Sequence, residues 1–484
     1  MTISQYREIT IVVRKTSSGS VTATRYTIVK KRKLDSKMHN ANSSEYRKSS
    51  IVRAILVWYL CGGAVFLAWE PAISADFGLS VEGGIGRSDN INREPELPND
   101  PTVDEIIYDA GMTLSFQQAS ARAESDIRAY LFFLKYGDDL YEQETLPGLD
   151  ATILFRLTDQ VFRWFVRGSV GQQAIDPFEA ITPGNRQNFS YLTTGPSVVV
   201  SVSRRFSAKI DAYYSDIRYG DQPLDNQRLG SQISLIRQIS DYRSLSLNVR
   251  GERTDYEDDF LNPPIERIDA FVRFESEGTR NEFIVDVGWT KVERDERDAE
   301  EPLFILEWQR QVTPSSEFTL AGGTRVSDAA ESFRGIQSEG SDISQVQNIT
   351  SISDPFRENF SRFAMDYTRL KTGATFSFNF SDEDYERRDD FDRRVKGGRI
   401  ELFRQMGRSW ELGLSGSLIE REYTNIERTD KDTIYGANLI WRATRTLEFD
   451  LGIRQIERRS SEELSNFTEN RVHLAMRYIP WRIQ

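Results

Sequence analysis

The chain has 484 residues, of which 62 are Lys or Arg and 74 are Asp or Glu, so its formal net charge is −12. Only 38% of the residues are hydrophobic, and the mean hydropathy is −0.52. This composition excludes a bundle of membrane-spanning helices, each of which needs ~20 consecutive apolar residues. The composition is compatible with a membrane β-barrel, because lipid-facing and lumen-facing side chains alternate along each strand. The average hydropathy of such a chain resembles that of a soluble protein.

One apolar stretch near the N-terminus has the features of a secretory signal. The stretch 54–69 follows a basic segment and precedes small residues that end at Ala75. A basic region, a short apolar segment and a small residue at the cleavage point are typical of a signal peptide. We therefore predict a signal peptide over 38–75 and a mature chain over 76–484. A membrane anchor that stays attached is the alternative.

The residues before this signal and the single cysteine bear on where the chain starts and which kinds of site it can have. Residues 1–37 are polar and basic, and we interpret them as an over-extended start or leader, with Met38 as the true start. Cys61 lies inside the apolar stretch, so the predicted mature chain has no disulfide and no thiolate metal site. That mature chain holds 50 basic and 70 acidic residues, and so negative a charge disfavours nucleic acid as a partner.

Beyond residue 76, apolar and polar residues alternate with a period of two. The alternation is strictest in 283–290, 317–324, 410–418 and 447–454. It predicts strands, because successive side chains of a strand point to opposite faces. We find no helical pattern in this part of the sequence.

The predicted connections alternate between short turns and long polar loops. The short turns fall near residues 158–160, 203–205, 239–242, 278–280, 313–315, 406–408 and 443–445. The long loops fall near residues 137–147, 173–187, 218–227, 255–264, 293–301, 328–360, 382–395, 422–432 and 458–466. This segregation is typical of outer-membrane barrels, which have short periplasmic turns and long extracellular loops. We therefore predict an all-β fold, a single transmembrane antiparallel β-barrel of about 20 strands, with 18 as the alternative.

The two faces of the predicted strands differ in chemistry. Aromatic residues cluster near the short turns, where rings prefer the membrane interface; they are Phe162, Trp164, Phe206, Trp308, Phe318, Phe403, Trp410, Trp441 and Phe449. Charged residues occupy the opposite parity and are predicted to face the lumen, since Arg or Lys facing lipid costs ~2–4 kcal/mol at the midplane. These candidates are Arg163, Arg167, Lys209, Asp211, Asp269, Arg273, Asp450, Arg454, Arg471 and Arg477. They form either a salt-bridge network that stiffens the wall or a hydrated path for a polar solute.

Catalytic chemistry is sparse in the predicted mature chain. Its one histidine, His473, lies on the polar face of the last strand. A serine hydrolase needs such a base beside a nucleophile, and no G-x-S-x-G motif accompanies it. We therefore predict a protein that is not an enzyme and has no cofactor or metal site. A membrane-embedded hydrolase is the less favoured alternative.

Three segments carry a family resemblance. They are GGIGRSDNINR (83–93), DPFEAITPGNRQNFSYLTTGP (176–196) and SDPFRENF (353–360). They resemble a family of proteobacterial outer-membrane β-barrels that is associated with exosortase (PEP-CTERM) and exopolysaccharide loci and is similar to the β-barrel porin 2 group. The motif residues with turn chemistry are Ser88, Asp89, Asn90, Thr182, Pro183 and Asn185.

The resemblance implies export or surface assembly of exopolysaccharide in the outer membrane of a Gram-negative bacterium. The expected partners are outer-membrane lipid, the barrel insertion machinery, polysaccharide and other envelope export components. A general-diffusion or structural porin with no dedicated cargo is the alternative. Because a lumen of about 20 strands is wide unless something fills it, we also expect the loop 328–360 to fold inward as a constriction.

Overall fold

The computed structural model describes residues 9–17, 20–28, 75–96, 102–138, 140–158, 161–260, 262–294, 297–337 and 354–481. The chain divides into two compact units, Met1–Val52 and Arg53–Gln484. In the first unit, strands β1 (Ile9–Ser17) and β2 (Ser20–Ile28) form an antiparallel hairpin. The predicted signal peptide lies outside the described residues, apart from Ala75.

In the second unit, twenty described strands form one closed antiparallel barrel, in which each strand pairs with its neighbour in sequence and β22 returns to pair with β3. The strands are β3 (Ala75–Ser88), β4 (Glu105–Ala119), β5 (Ala123–Tyr136), β6 (Glu144–Thr158), β7 (Phe162–Ala174), β8 (Arg186–Ser201), β9 (Phe206–Tyr219), β10 (Asn226–Ser240), β11 (Arg243–Tyr256), β12 (Ile265–Glu277), β13 (Asn281–Arg294), β14 (Arg297–Thr313), β15 (Ser316–Ser327), β16 (Phe356–Arg369), β17 (Thr372–Tyr385), β18 (Arg393–Met406), β19 (Trp410–Tyr423), β20 (Arg428–Arg442), β21 (Leu447–Ser460) and β22 (Phe467–Trp481). The predicted all-β barrel of about 20 strands is confirmed.

The connections are segregated by length, as predicted. The turns at one end of the barrel have two to four residues, and β3 begins and β22 ends at this end. The long loops lie at the other end, but the predicted loop 293–301 is wrong, because β13 continues to Arg294 and β14 begins at Arg297. Charged side chains stabilise this extension of the hairpin: Lys291 Nζ lies 2.5 Å from a carboxylate oxygen of Glu293 and 3.2 Å from one of Asp298.

The outer face of the barrel is apolar. On β13, Val287 and Trp289 are 55% and 60% exposed, and Ile268 and Val272 on the adjacent β12 are similarly open. A continuous apolar surface around a closed sheet needs lipid, and a closed barrel satisfies every backbone hydrogen bond within a bilayer. The barrel therefore spans the bacterial outer membrane. Among the described residues, no helix is long and apolar enough to cross a membrane.

Aromatic rings pair on the outer face close to the short turns. Trp441 stacks on Trp410 and on Phe449, with centroid separations of 5.8 and 5.4 Å. Trp308 and Phe318 pair edge to face at 4.9 Å. Such rings suit the boundary between hydrocarbon and water, where the ring body and its polar edge are both accommodated.

Phe403 does not belong to this outer group, so its predicted place at the membrane interface is wrong. On β18, Ile400 and Leu402 are exposed on the lipid face, and Phe403 has the opposite parity. Its ring lies over Gly373 of β17, where an added Cβ would come within 2.0 Å of a ring carbon. The glycine thus leaves room for the ring on the inner wall.

Gly288 lies where two strands approach closely, and its replacement by alanine is expected to destabilise the barrel. An added Cβ would lie 2.0 Å from the carbonyl oxygen of Ala270 and 2.6 Å from Cα of Phe271. We expect Gly288→Ala to cost about 1–3 kcal/mol of unfolding free energy, since backbone atoms must shift. Urea unfolding of the refolded protein in lipid vesicles measures this loss.

Gly251→Ala is the matched control, because nothing lies within 4 Å of a Cβ added at Gly251. This variant is expected to be as stable as the parent or slightly more so, because alanine restricts the unfolded chain. An equal loss of stability in the two variants would contradict the close approach at Gly288.

Candidate functional site

The ten charged residues predicted to face the lumen all lie on the strand face opposite the exposed apolar side chains. The structure does not join them to one another as a single group. They are Arg163 and Arg167 on β7, Lys209 and Asp211 on β9, Asp269 and Arg273 on β12, Asp450 and Arg454 on β21, and Arg471 and Arg477 on β22.

Asp269 is the centre of an ionic network on the inner wall. It is fully buried and accepts hydrogen bonds from Arg250 at 2.6 Å, Arg267 at 2.9 Å and the Thr290 hydroxyl at 2.7 Å. Because the donors come from β11, β12 and β13, the carboxylate joins three strands. A buried carboxylate is tolerated only when it is paired in this way.

Two of the other candidates also find partners on adjacent strands, whereas Lys209 and Asp211 pair with each other. Arg273 donates two hydrogen bonds to Asp286 of β13, at 2.7 and 2.8 Å. Arg477 donates to Glu82 at 2.6 Å and so links β22 to β3 where the barrel closes. Lys209 and Asp211 form an ion pair of 3.0 Å within β9.

Two candidates on β7 and one on β22 have surroundings of other kinds. The Arg167 guanidinium lies 5.4 Å from the centre of the Phe165 ring. Arg163 pairs in register with Ser197 of β8. Arg471 contacts the carboxylate of Glu469, two residues away on the same strand.

His473 lies in the inner wall. Its Nε2 is 2.8 Å from a carboxylate oxygen of Asp109 on β4. The contact reaches across β3 at Gly84, where an added Cβ would come within 2.5 Å of the imidazole. The ring therefore ties the last strand to the second barrel strand through the space that a glycine leaves.

A helix in the longest loop lies inside the lumen. The helix α1 (Ala329–Gln337) follows β15, yet Phe333 is fully buried and its ring is 4.5 Å from that of Phe189 on β8. Ala329, Ala330 and Phe333 form one buried cluster with inner-face residues of β8 and β9. The helix thus reaches a wall six strands away from β15.

This helix corrects the expectation that no helix follows residue 76, and it confirms the inward fold for the described part of the loop. Asp328 caps the helix, since its Oδ1 accepts hydrogen bonds from the backbone N–H groups of Ala330 and Glu331 at 2.9 and 3.0 Å. Asp328 also pairs with Arg228 at 2.9 Å, and Glu331 pairs with Arg267 at 3.4 Å. The predicted loop residues 338–353 lie outside the described residues.

The basic residues around Glu331 keep its carboxyl group ionised. Burial acts to raise the pKa of this carboxyl, but the guanidinium groups of Arg267, Arg250 and Arg228 outweigh burial and lower the pKa to about 2. The carboxylate is therefore ionised at neutral and mildly acidic pH. Its contribution to anchoring the helix is complete above the ordinary pKa of glutamate and is lost only as the pH falls towards 2.

A second segment, residues 175–185, crosses the mouth of the barrel at the long-loop end. This segment, hereafter the arm, connects β7 to β8. Its Phe178 ring stacks on Phe391 at 5.1 Å and packs against Tyr423 of β19 at 5.0 Å. Since β19 lies nine strands from β8 by the shorter way around the barrel of twenty, the arm reaches the far side.

The shape of the arm depends on one motif residue. The Asn185 side chain accepts a hydrogen bond from the Asp176 N–H at 2.8 Å and donates to the carbonyl oxygens of Asp176 and Ala180. Residues Pro183–Asn185 form a short 3₁₀ turn beside it. These contacts agree with a turn-forming role for this motif.

Three arginines hold the arm by its backbone. Arg93 donates to the carbonyl oxygen of Ile181 at 2.7 Å, and Arg458 donates to that of Glu179 at 3.3 Å. Arg428 donates to the carbonyl oxygen of Phe178.

The other two motif segments end at the same mouth. Ser88 donates to Glu469 at 2.6 Å, the Asp89 carboxylate accepts from the Asn470 N–H at 2.7 Å, and the Asn90 side chain donates to the Thr468 carbonyl at 3.1 Å. In the third segment, Asp354 pairs with Arg294 at 2.7 Å. Thr182, the remaining motif residue, precedes the 3₁₀ turn of the arm. Three segments far apart in sequence therefore meet around one opening.

Sequence reasoning missed residues that close the mouth and residues that join strands of the wall. Phe333, the arginines that hold the arm and the register partners Glu82 and Asp286 carry no local signal of their roles. The parity of Arg93, Arg428 and Arg458 offered no guide either, because Arg93 lies in a loop and the other two fall in the predicted long loops 422–432 and 458–466. Only the pairing of the strands brings these groups together.

No protein-family model matches the chain, and no curated protein does. Among solved structures, the siderophore receptor PiuA from Acinetobacter baumannii is 10% identical with a TM-score of 0.40, and the match covers 85% of this chain and 82% of that one. The ferric citrate transporter FecA in its unliganded form is 9% identical with a TM-score of 0.43, and the match covers 83% and 78%. The copper transporter OprC is 12% identical with a TM-score of 0.40, and the match covers 85% and 81%. At these values, the similarity does not bear on what the present chain binds or transports.

Proposed function

We propose that the protein is an outer-membrane passage for an exported polysaccharide, which is closed at its extracellular mouth in the conformation described above. The observation that carries this proposal is the construction of the mouth. The arm and helix α1 lie across a barrel whose wall is continuous without them, and both are attached by side-chain contacts. Segments attached in this way can leave the lumen while the barrel stays intact.

The inner wall offers surfaces that suit a sugar polymer. The Tyr130 ring lies flat over Gly148 and the Tyr213 ring over Gly230, since a Cβ added at either glycine would come within 1.9–2.2 Å of ring carbons. Rings that lie along the wall present their faces to the lumen, and the C–H groups of a sugar ring pack well on an aromatic face. Ion pairs on the same inner wall, such as Lys209–Asp211, offer hydrogen bonds to hydroxyl groups.

The resemblance of the three mouth segments to barrels from exopolysaccharide loci supports the same cargo class. A general-diffusion porin is less consistent with a mouth that two separate segments obstruct. The proposal assigns the outer face to lipid and the short-turn end to envelope export components. It assigns His473 a place in the wall and no role in catalysis.

A deletion strain tests the proposal directly. We expect loss of polysaccharide from the cell surface when the protein is absent and recovery when it, or its His473→Ala variant, is restored. Uptake of unrelated small solutes should be unchanged. Normal surface polysaccharide together with slower solute uptake would contradict the proposal and favour a diffusion porin, and failure of the His473→Ala variant alone would favour a hydrolase.

A further inference from the structure

The mouth of the barrel holds a cluster of arginines that outnumbers its carboxylates. The cluster, hereafter the mouth arginine cluster, consists of Arg93, Arg421, Arg428, Arg458 and Arg471 with Glu469, Asp430 and Asp432. Five guanidinium groups thus face three carboxylates. The chain as a whole has a net charge of −12, so this local positive excess runs against the overall charge.

Two of the three carboxylates are each shared between two arginines. Asp432 lies 2.6 Å from Arg458 and 2.7 Å from Arg421, and Glu469 contacts both Arg93, at 2.8 Å, and Arg471. Arg458 and Asp430 have exposures of only 3% and 1%. A guanidinium group that is buried to this extent requires hydrogen-bond acceptors for its remaining N–H groups.

The arm supplies these partners, and they are neutral groups. The carbonyl oxygens of Phe178, Glu179 and Ile181 accept hydrogen bonds from Arg428, Arg458 and Arg93. A carbonyl satisfies a donor but adds no negative charge, whereas a carboxylate does both and forms the stronger hydrogen bond. The three carbonyls therefore lie where acidic groups of a ligand would bind better.

The surroundings of the cluster also fit a sugar. Phe467 lies between Arg93 and Arg458, each 5.7 Å from its ring centre. If Phe178 left the mouth, the faces of Phe391 and Tyr423 would be uncovered beside Arg428. Arginines next to uncovered aromatic faces can bind a carboxylate and stack a sugar ring at the same time.

We propose that the mouth arginine cluster is a binding site for an acidic polysaccharide, whose carboxylate groups replace the carbonyl oxygens of the arm and thereby open the mouth. This inference rests on the proposed function and adds the class of cargo and the way it opens the passage. The arm and the polymer compete for the same donors, so binding requires the open mouth. A ligand that binds only the open conformation shifts the equilibrium towards it.

Conductance of the full-length protein in a planar bilayer tests this inference. Oligogalacturonate, added on the short-turn side, is expected to raise the conductance about tenfold through such a shift, while dextran oligomers of equal length leave it unchanged. The response should weaken at high salt, because ions screen the charges. Asn185→Ala, which loosens the arm, is expected to raise the basal conductance and to lower the oligogalacturonate concentration needed for a half-maximal response.

Arg428→Gln is expected to reduce the response to oligogalacturonate severalfold. Arg442→Gln is the matched control, because Arg442 lies at the short-turn end, paired with Glu411 at 2.7 Å. Heat-modifiable migration on gels establishes that each variant is folded. Where Arg428→Gln does not fold, the comparison of Asn185→Ala with the parent carries the test.

The outcomes separate the inference from the proposed function. Equal responses to acidic and neutral oligomers, or no response to either while Asn185→Ala conducts, would overturn the acidic-polysaccharide site and leave the passage standing. Absence of conductance in every variant, including one that lacks both the arm and helix α1, would overturn the passage itself.

Discussion

In an Asn185→Ala background, in which the arm is loosened, replacement of Phe333 by aspartate is expected to open the lumen and raise the single-channel conductance by one to two orders of magnitude. Phe333 is the apolar anchor of helix α1, fully buried against Phe189. Loss of a buried phenylalanine costs about 3–5 kcal/mol, and a carboxylate in its place adds a desolvation penalty. Every 1.4 kcal/mol changes an equilibrium about tenfold, so the helix should leave the wall for most of the time.

Phe333→Leu in the same background is the control, because leucine keeps an apolar side chain in the same site and should leave the conductance near that of the background. The barrel itself should remain folded in both variants, since the wall is complete without the helix. Conductance of Phe333→Asp that stays at the level of the Asn185→Ala background would show that the helix does not obstruct the lumen.

The second large effect is expected from a charge placed on the lipid face. Ile453 on β21 is 55% exposed on that face, about halfway between the girdle of rings near the short turns and the long-loop end. We expect Ile453→Arg to cost ~2–4 kcal/mol of folding free energy in a bilayer, because the guanidinium must leave water for hydrocarbon. Urea titration of refolding into lipid vesicles, followed by the heat-modifiable gel band, measures the loss.

Gly452→Arg gives the matched comparison one residue away. Gly452 lies on the inner face, and nothing is within 4 Å of a Cβ added there, so an arginine can extend into the lumen. We expect this variant to fold almost as well as the parent. Equal losses at residues 452 and 453 would mean that the two faces of β21 do not differ in their surroundings.

The strands and the sorting of their faces could be predicted because they depend on local periodicity. The alternation around 447–454 distinguishes Leu451 and Ile453 from Asp450 and Arg454 without any knowledge of neighbours. The even strand number of a barrel also requires a hairpin in residues 362–381, and the structure contains β16 and β17 there. A closed antiparallel sheet imposes this parity on any sequence that forms it.

The contacts that shape the candidate site could not be predicted, because they depend on register and on distant segments. The sequence around Arg273 does not indicate that Asp286 is its partner. The two side chains meet only through the pairing of β12 with β13. A nine-residue helix such as α1 is too short to be stable alone and forms because Phe333 finds Phe189 across the lumen. The prediction that Phe403 lies at the membrane interface was wrong because it rested on the nearby turn, whereas the parity of Phe403 places it on the inner face.

A cysteine scan along β21 tests the central claim that lipid and a water-filled lumen lie on the two faces of these strands. Single cysteines are introduced at residues 449–454 of a Cys61→Ser background, and the refolded variants in vesicles are treated with a water-soluble maleimide. We predict labelling at 450, 452 and 454, and protection at 449, 451 and 453. Labelling without a two-residue period would contradict the account.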